Sequence, residues 1–472
     1  MWFPKVEPPT VPYNMTAYRP KDIKEALFRK NKSSAPGNDD IIYGFLHHMD
    51  STHRVLSTLF TKIRDSAVAP DIWGCSKVIL LHKGGNAEDP SQFRMISLTL
   101  NIGKLYHTLE AKRHMEFMIN NGYIDPTAQK AFIEGINGCV EHIEVIQEII
   151  QHARLNKKTV HITWFDLADA FGSVSHDLIP IVLAHYQVPQ NIIDYIMDLY
   201  SKLEGRVVTP DWETDVFEFK KGVFQGDPYS CVIFLVVFNP IIQYIKQHSD
   251  KTGYEIKTQN TGSKYINTTP FADDFNLVSR NKIQHQKLIN DIEEKIKSMG
   301  LVIKPGKCAS LSIQSGRASE SIFHLTEGVQ KIPIELVKNK PLKFLGSNVT
   351  ALNKPNEMFQ FLSEKFETKL KNIDNCYLRG EHKLKIYSNY ALTSMRYHFS
   401  VHDVHKTHLE KLDSIARKYL KKWLRIPSHG ASDIAIFHPY LLRVKAPSQL
   451  YIEGHAGNYT LMRIKGDPIT TH

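Results

Sequence analysis

A chain of 472 residues is too long for one compact core and, at roughly 150 residues per unit, predicts about three structural units. Hydrophobic content of 42% and charged content of 23% fit a folded, soluble protein, and a formal charge of +10 favours a polyanionic partner. The five cysteines (Cys75, Cys139, Cys231, Cys308, Cys376) are odd in number, far apart and never in a Cys-x-x-Cys pair. That pattern argues against a disulfide framework or a zinc module and fits a reducing compartment, cytoplasmic and/or nuclear. No secretory signal opens the chain, and its longest apolar run, residues 231–238, falls far short of the roughly 18 needed to span a bilayer, so no membrane association is expected.

The residues before Pro20 carry four prolines and predict an extended lead-in, followed by a short helix over 20–28. Lys32-Ser33-Ser34-Ala35-Pro36-Gly37-Asn38-Asp39 is a loop of turn residues with a basic entry. Residues 77–85 form an apolar strand ending in a cationic, glycine-permitted turn, and Phe93-Arg94-Met95-Ile96-Ser97-Leu98 is a second strand. Their hairpin sets Lys83 beside Arg94. A point charge next to a bidentate fork suits a triphosphate, although solvated hairpin charges explain the pair equally; the spacing is not that of a P-loop. Apolar residues recur at helical spacing over 101–120 and 139–156.

Residues 159–165 are β-branched and aromatic, a strand that delivers Asp166 at its end, with a helix expected over 175–186. Residues 216–219 alternate as a strand before Gly222-Val223-Phe224-Gln225-Gly226-Asp227-Pro228-Tyr229-Ser230, a tight turn opening a buried helix that Asp227 or Ser230 can cap. Two strands, 254–257 and 265–268, lead to Phe271-Ala272-Asp273-Asp274-Phe275, the expected tip of a β-hairpin whose second arm is 275–279. Neighbouring carboxylates raise each other's pKa unless a cation sits against them, and oxygen-only ligation is what Mg²⁺ prefers; a solvated Asp-Asp turn is the plainer alternative. An amphipathic helix over 282–299 stops at Gly300, and residues 301–313, with Lys304 and Lys307, return as a strand or loop.

Leu342-Lys343-Phe344-Leu345-Gly346 is a last short strand, after which the pattern is helical to about Trp423. Six of the ten net positive charges fall between residues 356 and 427. There Arg417, Lys418, Lys421 and Lys422 lie off the apolar stripe of their helix, as a binding face or as a solvated one. His402, His405 and His408 are expected at the surface, since no further ligands sit at zinc spacing. The order of elements predicts an α+β fold in which an antiparallel sheet is backed on one face by helices, with Asp166 and Asp273-Asp274 meeting on its open face.

Assembled, these segments resemble, in order, the motifs of reverse transcriptases, most closely those of non-LTR (LINE-like) retrotransposons, over residues 20 to 450. Residues 33–39 are similar to the family's "APGxD", 93–98 to its "YRPISL", 166–171 to its "DxxxAF", 223–230 to its "VxQGxxxS" and 271–274 to its "FADD". Met95, His82 and Gly172 depart from the residues common at those places. The resemblance implies a right-handed polymerase: an N-terminal extension (1–32), fingers (33–155), a palm with inserted finger elements (156–350), a helical thumb (351–426) and a C-terminal extension (427–472). It further implies that Asp166, Asp273 and Asp274, with the Leu167 carbonyl, hold two Mg²⁺ ions, Mn²⁺ being possible. Lys83, Arg94, Phe171, Gln225 and Gly226 would bind the dNTP, and Lys307 would protonate pyrophosphate. Leu345, Gly346, Arg417, Lys418, Lys421 and Lys422 would bind primer or other nucleic acid.

The implied activity is RNA-directed DNA polymerisation, extending a DNA primer 3′-hydroxyl with dNTPs on a retroelement RNA template. Phe171 favours DNA synthesis, because an aromatic ring under the sugar clashes with a 2′-hydroxyl, and it disfavours an RNA-dependent RNA polymerase. The alternative is a catalytically silent nucleic-acid-binding protein that keeps the fold. Neither an endonuclease module before residue 20 nor a Cys-His knuckle after 430 is recognisable, so a polymerase core, a fragment or a truncated open reading frame is expected.

Overall fold

A computed structural model describes residues 2–136, 138–258, 262–338, 342–350, 355–427, 436–438 and 442–465. Residues 351–354 of the expected thumb, and 428–435, 439–441 and 466–472 of the expected C-terminal extension, lie outside the described residues.

Among the described residues the α-helices of six residues or more are α1 (Pro20–Phe28), α2 (Tyr43–Met49), α3 (Arg54–Ser66), α4 (Asn101–Asn120), α5 (Gly138–Leu155), α6 (Leu178–His185), α7 (Gln190–Tyr200), α8 (Pro228–Gln247), α9 (Lys282–Ser298), α10 (Pro355–Asn375), α11 (Gly380–Ile386), α12 (Arg396–Val401), α13 (Lys406–Trp423) and α14 (Pro447–Lys465). The strands that shape the site are β1 (Cys75–His82), β2 (Phe93–Leu98), β3 (Val160–Phe165), β4 (Glu204–Val207), β5 (Phe217–Glu218), β6 (Tyr254–Thr258), β7 (Gly262–Ile266), β8 (Phe275–Ser279) and β9 (Ala309–Gln314).

Two sheets organise the larger part. One runs β2-β1-β4-β5, with β1 antiparallel to β2 and parallel to β4. In the other, β3 lies between β8 and β9, antiparallel to both. This second sheet has no open face along β3, contrary to the sequence expectation. Val160, Ile162 and Trp164 pack with Ile146, Ile149 and Ile150 of α5 on one side. On the other, His161 bonds Ser312 Oγ at 2.8 Å and Thr163 bonds His285 of α9 at 2.8 Å. The polar residues that alternation assigns to solvent are therefore buried and bonded within the fold, His161 through Nδ1 while its Nε2 has no partner. Asp166 is left at the strand's end rather than on its face.

α8 is long and apolar enough to cross a membrane by length and composition, and 78% of that stretch is buried inside the fold, where it packs as a core helix. Asp227 caps it through Tyr229 N–H at 2.9 Å. The lead-in is extended but well packed: Tyr13 and Tyr18 are buried and both hydroxyls donate to Glu110 of α4. A separate core joins α10, α13 and their neighbours through Phe366, Leu370, Leu412, Leu420 and Trp423, and Leu450 of α14 belongs to it. Here His402 and His408 correct the surface expectation. They are 6% and 8% exposed, His402 bonding Ser347 Oγ at 2.9 Å and His408 stacking on Phe359 at 4.3 Å. A three-residue spacing in the sequence does not reveal these partners, which lie on other elements.

Candidate active site

Antiparallel pairing of β3 with β8 sets Phe165 opposite Phe275, their rings stacked 4.8 Å apart at 8°. The next residue on one strand is Asp166, and the preceding one on the other is Asp274, so the ladder itself brings the acids together. Asp273 and Asp274 sit in a tight turn closed by Phe271 N–H to Asp274 O at 2.7 Å and the reverse bond at 3.1 Å. Ala272 takes the left-handed φ of 55° that the turn requires. The approach to this turn is not the regular strand expected, since β7 pairs with β6. Pro270 has no N–H to give a ladder, and Asn276 replaces part of it, accepting from Thr269 N–H at 2.9 Å and donating to Thr269 Oγ1 at 2.6 Å.

Three residues that sequence reasoning missed lock the turn from outside. Gln129 Oε1 accepts from Ala272 N–H at 3.1 Å, Lys130 N–H reaches the Pro270 carbonyl at 3.5 Å, and His142 Nε2 bonds that carbonyl at 2.8 Å. Nothing in their local pattern marks them; only the missing N–H of Pro270 hints that the turn needs outside support.

Asp273 and Asp274 are held above their ordinary range. Burial raises the Asp273 pKa and Asp166 adds to it, while Arg94 pulls it back. Asp274 keeps solvent contact, yet the surrounding protein first, then Asp273 and Asp166, push it up to about 6. Such a cluster of oxygens is relieved by a cation, and the donor set is the hard, all-oxygen kind that a divalent ion takes. Asp166 O accepts from Lys304 N–H, and Ala168 N–H donates to Val302 O, so the Leu167 carbonyl between them points away from that strand. Among the described residues no three His, Cys, Asp or Glu side chains form a closed metal cluster.

The other expected residues surround this centre unevenly. Arg94 pairs across with Leu81, and Lys83 follows two residues on, so both project from one face of the β1–β2 hairpin as diagonal neighbours. Both are exposed, and Lys83 Nζ bonds Ser91 O at 3.1 Å. Ser97 N–H donates to Gln225 O at 2.8 Å, and a Cβ on Gly226, with its φ of +124°, would lie 2.7 Å from Ser97 O; the turn thus requires glycine to cross β2. Half-buried Phe171 stacks on Phe234 of α8 at 4.5 Å and 11°. Lys307 is exposed on a short 3-10 turn after the residues that bond Asp166.

Leu345 and Gly346, with φ of 45° and 81°, form the two-residue turn of a hairpin between Leu342–Phe344 and Ser347–Val349. Tyr397 of α12 donates to the Leu345 carbonyl. On α13 the four expected cations differ: Lys418 is exposed, Arg417 and Lys421 are half-buried, and Lys422 pairs with Asp374 at 2.6 Å. Asp227, besides capping α8, bonds buried His107 at 2.6 Å, and His107 bonds Tyr195 at 2.8 Å, tying the Gln225–Gly226 turn to α4 and α7.

Residues 81–349 match the family model described as reverse transcriptase (RNA-dependent DNA polymerase). Among similar proteins is the Retrovirus-related Pol polyprotein from type-2 retrotransposable element R2DM of Drosophila melanogaster, 23% identical over 84% of this chain and 36% of that protein. The Pol polyprotein from type-1 retrotransposable element R2 of Nasonia vitripennis is 25% identical over 82% of this chain and 36% of its own length. The probable RNA-directed DNA polymerase from transposon X-element of Drosophila melanogaster is 26% identical over 57% of this chain and 28% of its own. The chain thus spans about a third of the length of the first two of these curated relatives. Apo telomerase from Candida tropicalis aligns at a TM-score of 0.39 and 12% identity over 62% of this chain and 59% of that one, too distant to bear on the site.

Proposed function

Because the chain belongs to the reverse transcriptase family, on the non-LTR retrotransposon side that its sequence resembles, we propose that it is an RNA-directed DNA polymerase that extends a DNA primer with dNTPs on a retroelement RNA template. The observation that carries this reading is the pairing of Phe165 with Phe275, which sets Asp166 beside Asp273 and Asp274 at one end of the sheet. Reverse transcriptases generally use divalent metal ions. In this chain Asp166, Asp273, Asp274 and the Leu167 carbonyl would hold them, as two Mg²⁺ or Mn²⁺ ions. When bound, these ions would supply the positive charge that activates a 3′-hydroxyl and steadies a departing pyrophosphate.

The side chains supply the rest. Arg94, whose charge reaches Asp273, and Lys83 beside it on the hairpin face would hold the triphosphate. Gln225 and Gly226, fixed against β2, would place the nucleotide over Phe171, whose ring would clash with a 2′-hydroxyl. Lys307, exposed on its short turn, would give a proton to pyrophosphate. The proposed compartment is cytoplasmic and/or nuclear, from the cysteine pattern.

The test is extension of oligo(dT) on poly(rA) with dTTP or UTP and Mg²⁺, alongside Asp273→Asn. Incorporation of dTTP but not UTP, reduced at least about 10²-fold by the substitution, is expected. No incorporation with retained, salt-sensitive RNA binding would favour a catalytically silent binder.

A further inference from the structure

Not all of the positive charge lies toward the acids. β3 enters its sheet at Val160 and β8 leaves it at Ser279, at the end opposite Asp166 and Asp274. The loop before β3 brings Lys157 and Lys158 to that end, and Arg280 follows β8 directly. The six residues of β3 alone separate the two ends by roughly 17–20 Å.

Contacts at this far end run from one cation to the next. Lys158 O accepts from Gly316 N–H at 3.1 Å, which sets the lysine pair against Arg317, first residue of the short strand that pairs with β9. Lys158 Nζ donates to Glu255 O of β6 at 3.5 Å. In the β6–β7 ribbon Glu255 lies opposite Tyr265 and Lys257 opposite Ser263, so these four share one face, while Tyr254 and Ile266 on the other pack into the core. Arg280 lies 5.3 Å over the Tyr265 ring and is held there by donating to Asp250 O at 3.0 Å and Lys251 O at 3.3 Å. Lys157, Lys257, Arg280 and Arg317 are exposed and Lys158 is half-buried. Among the described residues, none of the five has an ion-pair partner.

Glu255 is set among these cations. It accepts from Ser263 Oγ at 2.6 Å, and its pKa is held low by that bond first and then by Lys257, Lys158 and Arg280. Its single charge leaves most of the surface uncompensated, which attracts a polyanion. Cations spread over three loops, beside a guanidinium stacked on an aromatic ring, suit a single strand rather than a duplex groove. The carboxylate favours RNA over DNA: it repels a phosphate but can accept from a 2′-hydroxyl, which every RNA sugar carries and DNA lacks. A duplex whose end lies at Asp274 keeps its phosphates near the acids, so a different segment of nucleic acid has to meet this surface.

We propose that Lys157, Lys158, Lys257, Arg280 and Arg317 hold a single-stranded stretch of the uncopied template RNA at the end of the β3 sheet remote from the acids. The Arg280–Tyr265 pair is the platform on which one base stacks, and Glu255 takes a 2′-hydroxyl. This rests on the polymerase reading, which is what supplies a template with an uncopied part.

The experiment measures binding of a DNA primer on an RNA template, without dNTPs, across a salt series. One template ends at the duplex, and a second continues 5′ by about 40 unpaired nucleotides, enough to reach around the sheet. On the extended template, Lys157→Gln/Lys257→Gln should lower the slope of log affinity against log salt by about 1–1.5, and adding Arg317→Gln should bring the loss to about 2. All three side chains are exposed, so folding is expected to be kept. The control Lys287→Gln/Lys331→Gln should leave the slope unchanged, and on the short template every variant should match wild type. A DNA extension should add at least about 3-fold less affinity than the RNA extension. Unchanged slopes on the extended template, equal losses on both templates, an equal loss in the control, or an equal gain from the DNA extension would each overturn the proposal. Binding is read apart from synthesis, so a chain that shows the extension-dependent slope but incorporates no dTTP sinks the polymerase reading alone. Incorporation with no extension-dependent slope sinks the second surface alone.

Discussion

Gly172 and Gly222 meet backbone to backbone: a Cβ on Gly222 would lie 2.8 Å from the Gly172 Cα, and Gly222 holds a φ of +90°. The contact joins the segment after Asp166 to the turn carrying Gln225, and Val223 N–H seals it by donating to Phe171 O at 2.9 Å. A side chain at Gly172 would in turn run into the Asp169 carboxylate. Gly222→Ala adds left-handed strain to backbone overlap and should cost about 2–4 kcal/mol. A denaturation midpoint shifted with unchanged m-value would show it; a loss below about 1 kcal/mol would mean the two segments part easily.

Phe171 is held flat by Phe234, so its position does not depend on a bound nucleotide. Phe171→Ala should relax the sugar preference, lowering the dNTP/rNTP incorporation ratio by about 10-fold or more. An unchanged ratio in primer extension would assign the ring to packing alone.

Asp227 has two tasks, the α8 cap and the His107 bond, and they separate by substitution. Asp227→Ala loses the cap and strands a buried imidazole, a cost of about 2–4 kcal/mol. Asp227→Asn still caps, and a change of His107 tautomer can restore the second bond, so it should cost less than half as much. Equal losses in thermal denaturation would show that the charge, not the cap, matters.

Glu144 is pushed up from 4.5 to about 7, by burial first and then by Glu141 and Asp403. Between those values the native state holds a proton that the unfolded chain has released. Stability from this group is therefore present below pH 4.5 and is lost as pH rises toward about 7. Glu144→Gln removes the loss, so at pH 8 it should be more stable than wild type by about 1 kcal/mol or more, after solvent screening. The difference should shrink at pH 5, and a pH-independent offset between the two unfolding curves would argue against it.

Much of the local structure was legible because it is written in short range. β-branched residues announce β3, the Asp227-Pro228 pair announces the start of α8, and Gly300, with a φ of 75°, ends α9 where expected. The two strands either side of Asp166 and Asp273-Asp274 were legible for the same reason. The closure of the β3 sheet on both faces was not, because His161 and Thr163 look solvent-facing until Ser312 and His285 appear beside them. Nor were the supports at Gln129 and His142, which carry no signal of their own.

The sequence by itself determined the acids, the strands that end in them and the family whose motif order they share. Only the tertiary structure decided that Asp166 neighbours Asp274, since that depends on one ladder register between strands more than 100 residues apart. It likewise decided that Lys422 has a carboxylate while Lys343, Lys365 and Lys369, among the described residues, have none. The physical reason is the same in both cases. Periodicity reports which side of its own element a residue occupies, whereas charge and chemistry depend on what the neighbouring elements bring to that side.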